Sequence, residues 1–518
     1  MQTEKRKDWL TTFWDVFYSR LVAPSHLPKP TDVQDEQVKI NFLRIVLGLL
    51  CLWRTGMMAV SSYYYFPTDG FLSSPPEFWL TLTVFSVALC FTVGLLTPVA
   101  TIWLLFVYNQ VDTQLGTQTL GTNLWTLSMF FFLVANAGSR LSVDALNLQN
   151  QKSPLHTVTR LSYGIIKFPS CEQLHGYYWL LLMSYAATSL AAVSLHFDDA
   201  FWQAGSSVFL MLNNSFLCSL WPLCRFVSLH FPGLVSAFSY FSCIGQAVYQ
   251  VAMVPLIYNR WGVWFVGLWG AAFFIISVIL LQISWIPTCE CVLWAVIFLP
   301  AGLVTKPLKT VNTRAIEAAR HCNWQTSTRA GLATAATLCA FTLLFFVVLG
   351  HHYPSVGLLR KAAKHMGPRL YYLGLDVPDV FNKLDLSTEK YWYVMERQDA
   401  SGQISHVPIA LSDGSREYYH WFDTVYFSNF VPWRRMMGLH AGNPLDLLVP
   451  GQGCYELLRR AVQFDRRLQH LPDDTQYRVT VYGQEQGQWT KPPRVVTVLA
   501  FQASKKLAAR GAADQGTR

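Results

Sequence analysis

Long apolar runs separated by short polar turns occupy residues 38–350, and a mixed, charge-bearing pattern succeeds them. The runs Phe42–Tyr64, Phe78–Leu96, Pro98–Val111, Leu124–Ala137, Tyr178–Leu195, Ser206–Trp221, Leu234–Tyr258, Val263–Trp285, Cys291–Val304 and Gly331–Leu349 are candidate membrane helices. At about 1.5 Å per residue, roughly 20 apolar residues cross a hydrocarbon core of about 30 Å. The third run is short of that unless it extends into the loop after it.

Beyond residue 350 the period changes. In Tyr477-Arg478-Val479-Thr480-Val481-Tyr482 apolar and polar side chains alternate, as in a half-buried strand. Tyr391–Arg397 and Val495–Phe501 also read as strands, Ser412-Asp413-Gly414 as a turn, and Cys454–Leu468 as a helix. The expected division is an amphipathic interfacial segment at 1–37, a transmembrane domain at 38–350, a soluble α+β domain at 351–504, and a disordered tail at 505–518. Trp9, Phe13, Trp14, Val16 and Phe17 alternate with Lys5, Arg6, Lys7 and Arg20, so an interfacial helix is expected there rather than a cleavable signal. The cluster Pro24, Pro28, Pro30 stops it.

Charge sets the orientation. The amino end is basic, the loop at 67–77 has no Lys or Arg, and Arg140, Lys152, Arg160 and Lys167 populate the loop at 140–167. The positive-inside rule therefore puts the amino terminus in the cytoplasm. Lys306, Lys309, Arg314, Arg320 and Arg329 place the last loop inside too, which requires one of the ten runs not to cross. Ser206–Trp221, with Asn213 and Asn214, is the first candidate, and the runs around Pro287 are the other. The fold expected is a polytopic α-helical membrane protein of about nine transmembrane helices, with a small extracytoplasmic α+β domain at the carboxyl end.

Composition refines this. The tail from 351 holds 21 of the 40 Lys and Arg and 16 of the 31 Asp and Glu, so the longer apolar part is charge-poor. The net charge of +9 is scattered or sits in loops, which points away from nucleic acid and toward loop bias. Cys289 and Cys291 form a lone CxC with too few ligands for zinc, and no metal is expected. Without duplicated halves or paired broken helices, a transporter is disfavoured.

Ionisable groups in apolar runs mark candidate chemistry, because a charge at the bilayer centre costs roughly 2.5–3.5 kcal/mol even on insertion scales. Arg44 is expected to snorkel. Arg54 and Asp112 either pair or line an anion or headgroup site. Asn109, Gln110 and Asn123 either bind a polar ligand or link helices. His196 with Asp198 and Asp199 is a candidate base or ligand group at the outer surface. In the tail, Trp433 with Arg434 and Arg435 is the candidate partner interface.

Four segments carry a resemblance: Leu43-Arg44-Ile45-Val46-Leu47-Gly48, Tyr65-Phe66-Pro67-Thr68-Asp69-Gly70, Gly94-Leu95-Leu96-Thr97-Pro98, and Ala137-Gly138-Ser139-Arg140-Leu141-Ser142-Val143-Asp144. Together they resemble the HTTM superfamily, the membrane domain shared by vitamin K-dependent gamma-carboxylases and many bacterial proteins, over roughly residues 38–304. The resemblance implies a bacterial inner-membrane protein, and reduced quinone as a cofactor. In the carboxylases a lysine deprotonates reduced vitamin K. The matching stretch here, Ala192–Trp202 and then Gln203-Ala204-Gly205, has the Asp, Trp and Gly but no lysine, and His196 is the nearest ionisable substitute. Gly270-Ala271-Ala272-Phe273-Phe274 stands where many members have a histidine. The resemblance, with its lysine missing, implies a non-carboxylating HTTM-like protein, an accessory in processing or export of a secreted peptide or in lipid or quinone binding. Its expected partners are the bilayer and a secreted peptide or membrane protein. The alternative is a membrane enzyme on a lipid-soluble substrate with His196 as base.

Overall fold

A computed structural model describes residues 9–60, 76–114, 120–163, 169–197, 200–213, 218–281, 286–309, 389–398, 402–406, 462, 466, 470–472, 475–485 and 492–502. Most of them are helical. The helices are α1 (Trp9–Phe17), α2 (Val33–Val60), α3 (Pro76–Val93), α4 (Thr97–Gln114), α5 (Leu120–Val134), α6 (Val143–Gln149), α7 (His156–Tyr163), α8 (Cys171–Phe197), α9 (Ala200–Gln203), α10 (Ser207–Leu212), α11 (Trp221–His230), α12 (Pro232–Leu256), α13 (Arg260–Leu280), α14 (Ile286–Phe298) and α15 (Ala301–Lys309).

Local sequence sets several of these ends. Pro222 and Pro232 sit in the first turns of α11 and α12, where a missing N–H costs nothing. Asn259 caps α13, its Oδ1 accepting from the N–H groups of Trp261 at 2.8 Å and Gly262 at 3.2 Å. A Cβ on Gly262 would strike the Leu256 carbonyl, so the α12–α13 turn closes only with glycine there.

Three of the segments that carry the resemblance meet at one buried point. Asp144 is fully buried, and its carboxylate accepts from the N–H groups of Leu96 and Thr97, each at 2.7 Å, and from the hydroxyls of Thr97 and Tyr163, each at 2.8 Å. It thereby caps α4 from a distant part of the chain. Arg44 Nη2 donates to the Leu141 carbonyl at 2.8 Å. Arg44 is fully buried rather than snorkelling, because that carbonyl lies within its reach. Leu96 (φ 49°) and Leu141 (φ 45°) lie in the left-handed region, a strain of order 1–3 kcal/mol each that these bonds hold in place. The segment Tyr65–Gly70 lies outside the described residues.

Other buried polar links tie helix to helix. Tyr178 of α8 donates to Glu36 of α2 at 2.6 Å, and Lys39 approaches the same carboxylate oxygen at 2.7 Å while donating to the Leu299 carbonyl at 3.2 Å. The amino-terminal segment at 9–22 docks on the start of α8, with Phe17 edge-on to Trp179 at 5.3 Å and the Tyr18 hydroxyl 3.4 Å from His175 Nδ1.

Among the described residues, α13 alone is a single helix long and apolar enough to cross a membrane, and counting two bent pairs as spans raises the number to three. The pairs are α11 with α12, bent by 115°, and α14 with α15, bent by 90°. The apolar stretches Trp79–Val93, Thr97–Asn109 and Asn123–Val134 have at most 17 residues, short of the roughly 20 that 30 Å demands. Nine crossings are therefore more than the described helices supply. Ser206–Trp221 is broken, into α10 and the start of α11.

The carboxyl part forms an antiparallel sheet of β1 (Glu389–Gln398), β2 (Ile404–His406), β3 (Gln476–Glu485) and β4 (Arg494–Gln502) in the order β2-β1-β3-β4. Tyr477, Val479 and Val481 are buried on β3, as the alternation requires, and Arg478 pairs across the sheet with Glu396. The predicted helix Cys454–Leu468 lies outside the described residues except at Val462 and Arg466.

These contacts make stability testable at two positions. Asp144→Asn puts an amide against four donors, so it lowers stability by about 2–3 kcal/mol, the scale of hydrogen bonds to a charged group. Thermal melting of the purified full chain in detergent measures this, and an unchanged midpoint contradicts the capping role. His175 precedes the predicted Tyr178–Leu195 span, and burial, helped by Lys29, pushes its ring down to about 4. Its unfolded value is near 6.5, so between those values the unfolded chain binds the extra proton. The stability it contributes is complete above about pH 6.5 and is lost as pH falls toward 4. Melting at pH 7.5, 6 and 5 should show this slope, reduced in His175→Gln; equal slopes contradict it.

Candidate functional site

Glu290 is the only acidic residue from 200 to 316, and it lies within the apolar helix α14. It is 6% exposed. A buried carboxyl needs hydrogen bonds, and the Tyr185 hydroxyl of α8 donates one to its Oε1 at 2.8 Å. Tyr249 of α12 supplies a second phenol, and its hydroxyl is buried without a hydrogen-bond partner. The two phenol rings pack on the indole of Trp294, at 5.4 Å for Tyr185 and 6.1 Å for Tyr249, and Phe274 of α13 stands edge-on to that indole at 5.1 Å.

Four helices thus build the site. Trp294 Nε1 donates to the Gly267 carbonyl at 3.1 Å, and the same indole lies on Gly270, where any Cβ would collide with it. The absence of a side chain at Gly270 therefore admits the aromatic wall. Leaving a buried hydroxyl unpaired costs roughly 1–3 kcal/mol. The arrangement of one carboxyl, one engaged phenol and one unengaged phenol behind apolar rings suits a ligand that both accepts and donates hydrogen bonds.

No family model, curated protein or solved structure matches the chain. The chemistry of the site itself therefore carries the functional reading.

The residues expected from sequence fall elsewhere. Arg54 is buried over the Tyr108 ring, 5.8 Å from its centroid, and Asn109 Nδ2 donates to Thr126 Oγ1 of α5 at 2.9 Å and to the Leu105 carbonyl at 2.7 Å. Arg54 and Asn109 thus share one level of the bundle, and Asn109 links helices. Asp112 lies in the last turns of α4, and its side chain is outside those described. His196 is buried at the end of α8, stacked on Trp202 with centroids 3.9 Å apart. Asp198, Asp199, Trp433, Arg434 and Arg435 lie outside the described residues. Among the described residues, no three His, Cys, Asp or Glu side chains gather as metal ligands.

Sequence reasoning missed Glu290, Tyr185 and Tyr249. Glu290 carried a legible signal as an isolated acid beside an apolar run, and starting that run at Cys291 placed it just outside. The phenols gave none, since tyrosine is ordinary near membrane interfaces.

Two conservative substitutions separate the roles of the phenols. Tyr185→Phe removes the hydrogen bond to Glu290 and lowers stability by about 1–3 kcal/mol, whereas Tyr249→Phe removes an unpaired buried hydroxyl and so raises the stability of the ligand-free chain, by up to about 1–3 kcal/mol. Melting of both variants in detergent checks this, and equal losses contradict the assignment.

Proposed function

We propose that the protein is a polytopic inner-membrane protein on an HTTM-type scaffold, with about nine crossings, and that it binds a lipid-soluble ring compound of the quinone class at Glu290 and Tyr249. It acts as a non-carboxylating accessory in processing or export of a secreted peptide. Support for the membrane reading comes from α12 and α13. Leu234, Phe238, Phe241, Val248 and Val251 on α12, and Trp261, Trp264, Leu268 and Ile275 on α13, are exposed at helical spacing. Phe241 is 69% and Trp261 78% exposed. Apolar stripes of this length are costly in water and suited to acyl chains.

The observation that carries the ligand reading is the unpartnered Tyr249 hydroxyl, whose ring shares the Trp294 indole with the phenol bound to Glu290. An ionisable residue at membrane depth is a functional-site candidate in its own right. The Tyr249 hydroxyl would donate to a ring carbonyl, the Glu290 carboxyl would exchange a hydrogen bond with a ring hydroxyl, and Trp294 and Phe274 would hold the ring plane and exclude water. A bound quinone would supply two-electron redox chemistry. The lack of a lysine at Ala192–Trp202 supports a non-carboxylating role. The His196 enzyme is the weaker reading, because the stack on Trp202 covers one face of that imidazole.

Titration of a short-chain menaquinone analogue into the full chain in nanodiscs, monitored by tryptophan quenching, tests the site. Saturable quenching is expected, with Tyr249→Phe and Glu290→Gln each weakening binding about tenfold, or about 1.4 kcal/mol. Unsaturable partitioning, or wild-type affinity in both variants, contradicts the ligand assignment. In the same preparation, reduced vitamin K and a Glu-rich peptide should give no bicarbonate incorporation above background, and incorporation overturns the non-carboxylating role.

A further inference from the structure

Two cysteines outside the Glu290 site lie side by side where the chain enters α11. The Sγ atoms of Cys218 and Cys224 are 3.5 Å apart, within the sequence Cys218-Ser219-Leu220-Trp221-Pro222-Leu223-Cys224, and both residues are reduced. They differ in access. Cys218 is fully buried and held by backbone, since it bridges Leu281 and the Ser219 N–H donates to the Leu280 carbonyl at 2.7 Å. Cys224 is partly exposed in the first turn of α11.

The surroundings fix this pair and favour its thiolate. Trp221 Nε1 donates to the Asn213 carbonyl at 2.9 Å, and Asn213 Nδ2 donates to Ser228 Oγ at 2.9 Å, so the turn between the cysteines is tied on both sides. The Arg225 guanidinium lies over the Trp221 ring, 4.8 Å from its centroid, and brings a positive charge to the same helix end. A helix N-terminus and a nearby cation both stabilise a thiolate. The hydrogen bond from Cys218 holds the Cys224 thiol below its ordinary range, against the opposing effect of burial. Because α11 turns by 115° from α12, it runs across the line of that candidate span rather than along it.

The geometry points to a dithiol–disulfide exchange site, with Cys224 as the attacking thiol and Cys218 as the resolving thiol, that acts on a low-molecular-weight disulfide of the glutathione type. The Cys224 thiolate attacks one sulfur of the substrate disulfide, breaking that bond and expelling a thiolate. The Cys218 thiolate then attacks Cys224 Sγ of the mixed disulfide, forming the Cys218–Cys224 bond and releasing the second thiolate. The protons lost by the two cysteines go to the two released thiolates, and two electrons pass from the pair to the substrate. Closing the sulfurs from 3.5 Å to a disulfide length requires a movement of about 1.5 Å. With Ser206–Trp221 as the run that does not cross, the charge pattern predicts this loop on the extracytoplasmic side, where disulfides persist. The exchange chemistry stands apart from that orientation and from the Glu290 ligand.

The test equilibrates the full chain in nanodiscs with reduced and oxidised glutathione over a range of ratios, quenches with acid, alkylates with N-ethylmaleimide and locates adducts by mass spectrometry. In oxidised buffer, Cys218 and Cys224 should lose their adducts together and gain an intramolecular bond. Cys218→Ser should accumulate a glutathione adduct on Cys224, and Cys224→Ser should leave Cys218 without glutathione. Cys218→Ala repeats the first arm should the serine variant fail to fold. Persistent alkylation of both cysteines in oxidised buffer overturns the proposal, as does glutathione on Cys218 in Cys224→Ser.

Discussion

The constraint on which the helical part depends is that its buried polar groups must be satisfied by one another, behind a surface that is apolar over long stretches. Asp144, Tyr178 with Glu36 and Lys39, Asn109 with Thr126, and Tyr185 with Glu290 are each a polar contact between separate segments of the chain. On the opposite faces of α12 and α13, Phe241, Trp261 and Leu268 stand exposed. Buried polar groups paired with one another inside an apolar core, behind an apolar surface, is an arrangement that hydrocarbon favours, because water is absent to solvate an open donor or acceptor.

Within that arrangement the groups that depart from full satisfaction are informative. Many buried hydroxyls in the helices return a bond to a carbonyl four residues back, as Thr55, Thr92 and Ser184 do. Tyr249 has no such bond, and it packs on the same indole as the phenol that holds Glu290. The Cys218–Cys224 pair is a separate departure, a buried thiol next to an accessible one, which gives the molecule a second kind of chemistry distant in sequence from Glu290.

Much of the secondary structure was legible because its causes are local. The alternation at Tyr477–Tyr482 gave β3, the runs at 391–397 and 495–501 gave β1 and β4, and the apolar runs match helices α2 to α5, α8 and α12 to α14. The pattern does not encode bends, so it joined Ser206–Trp221 into one element and gave no sign of the 115° and 90° turns. Arg44 was expected at an interface because the Leu141 carbonyl that receives it lies 97 residues away. Tyr185 and Glu290 are 105 residues apart, and such a pairing has no trace in periodicity. The motif segments Leu43–Gly48, Gly94–Pro98 and Ala137–Asp144 were legible one by one, and their meeting around Asp144 gives them a common physical purpose.

If hydrocarbon selected this arrangement, the exposed faces of α12 and α13 contact lipid while Glu290 is shielded behind them. Spin labels placed singly at Phe241, Trp264 and Leu268 in the full chain, reconstituted in bilayers, test this through collision with oxygen and with a water-soluble nickel chelate. Oxygen should relax all three labels far more than nickel does. Nickel accessibility typical of a water-exposed helix at these positions would contradict the lipid-facing assignment.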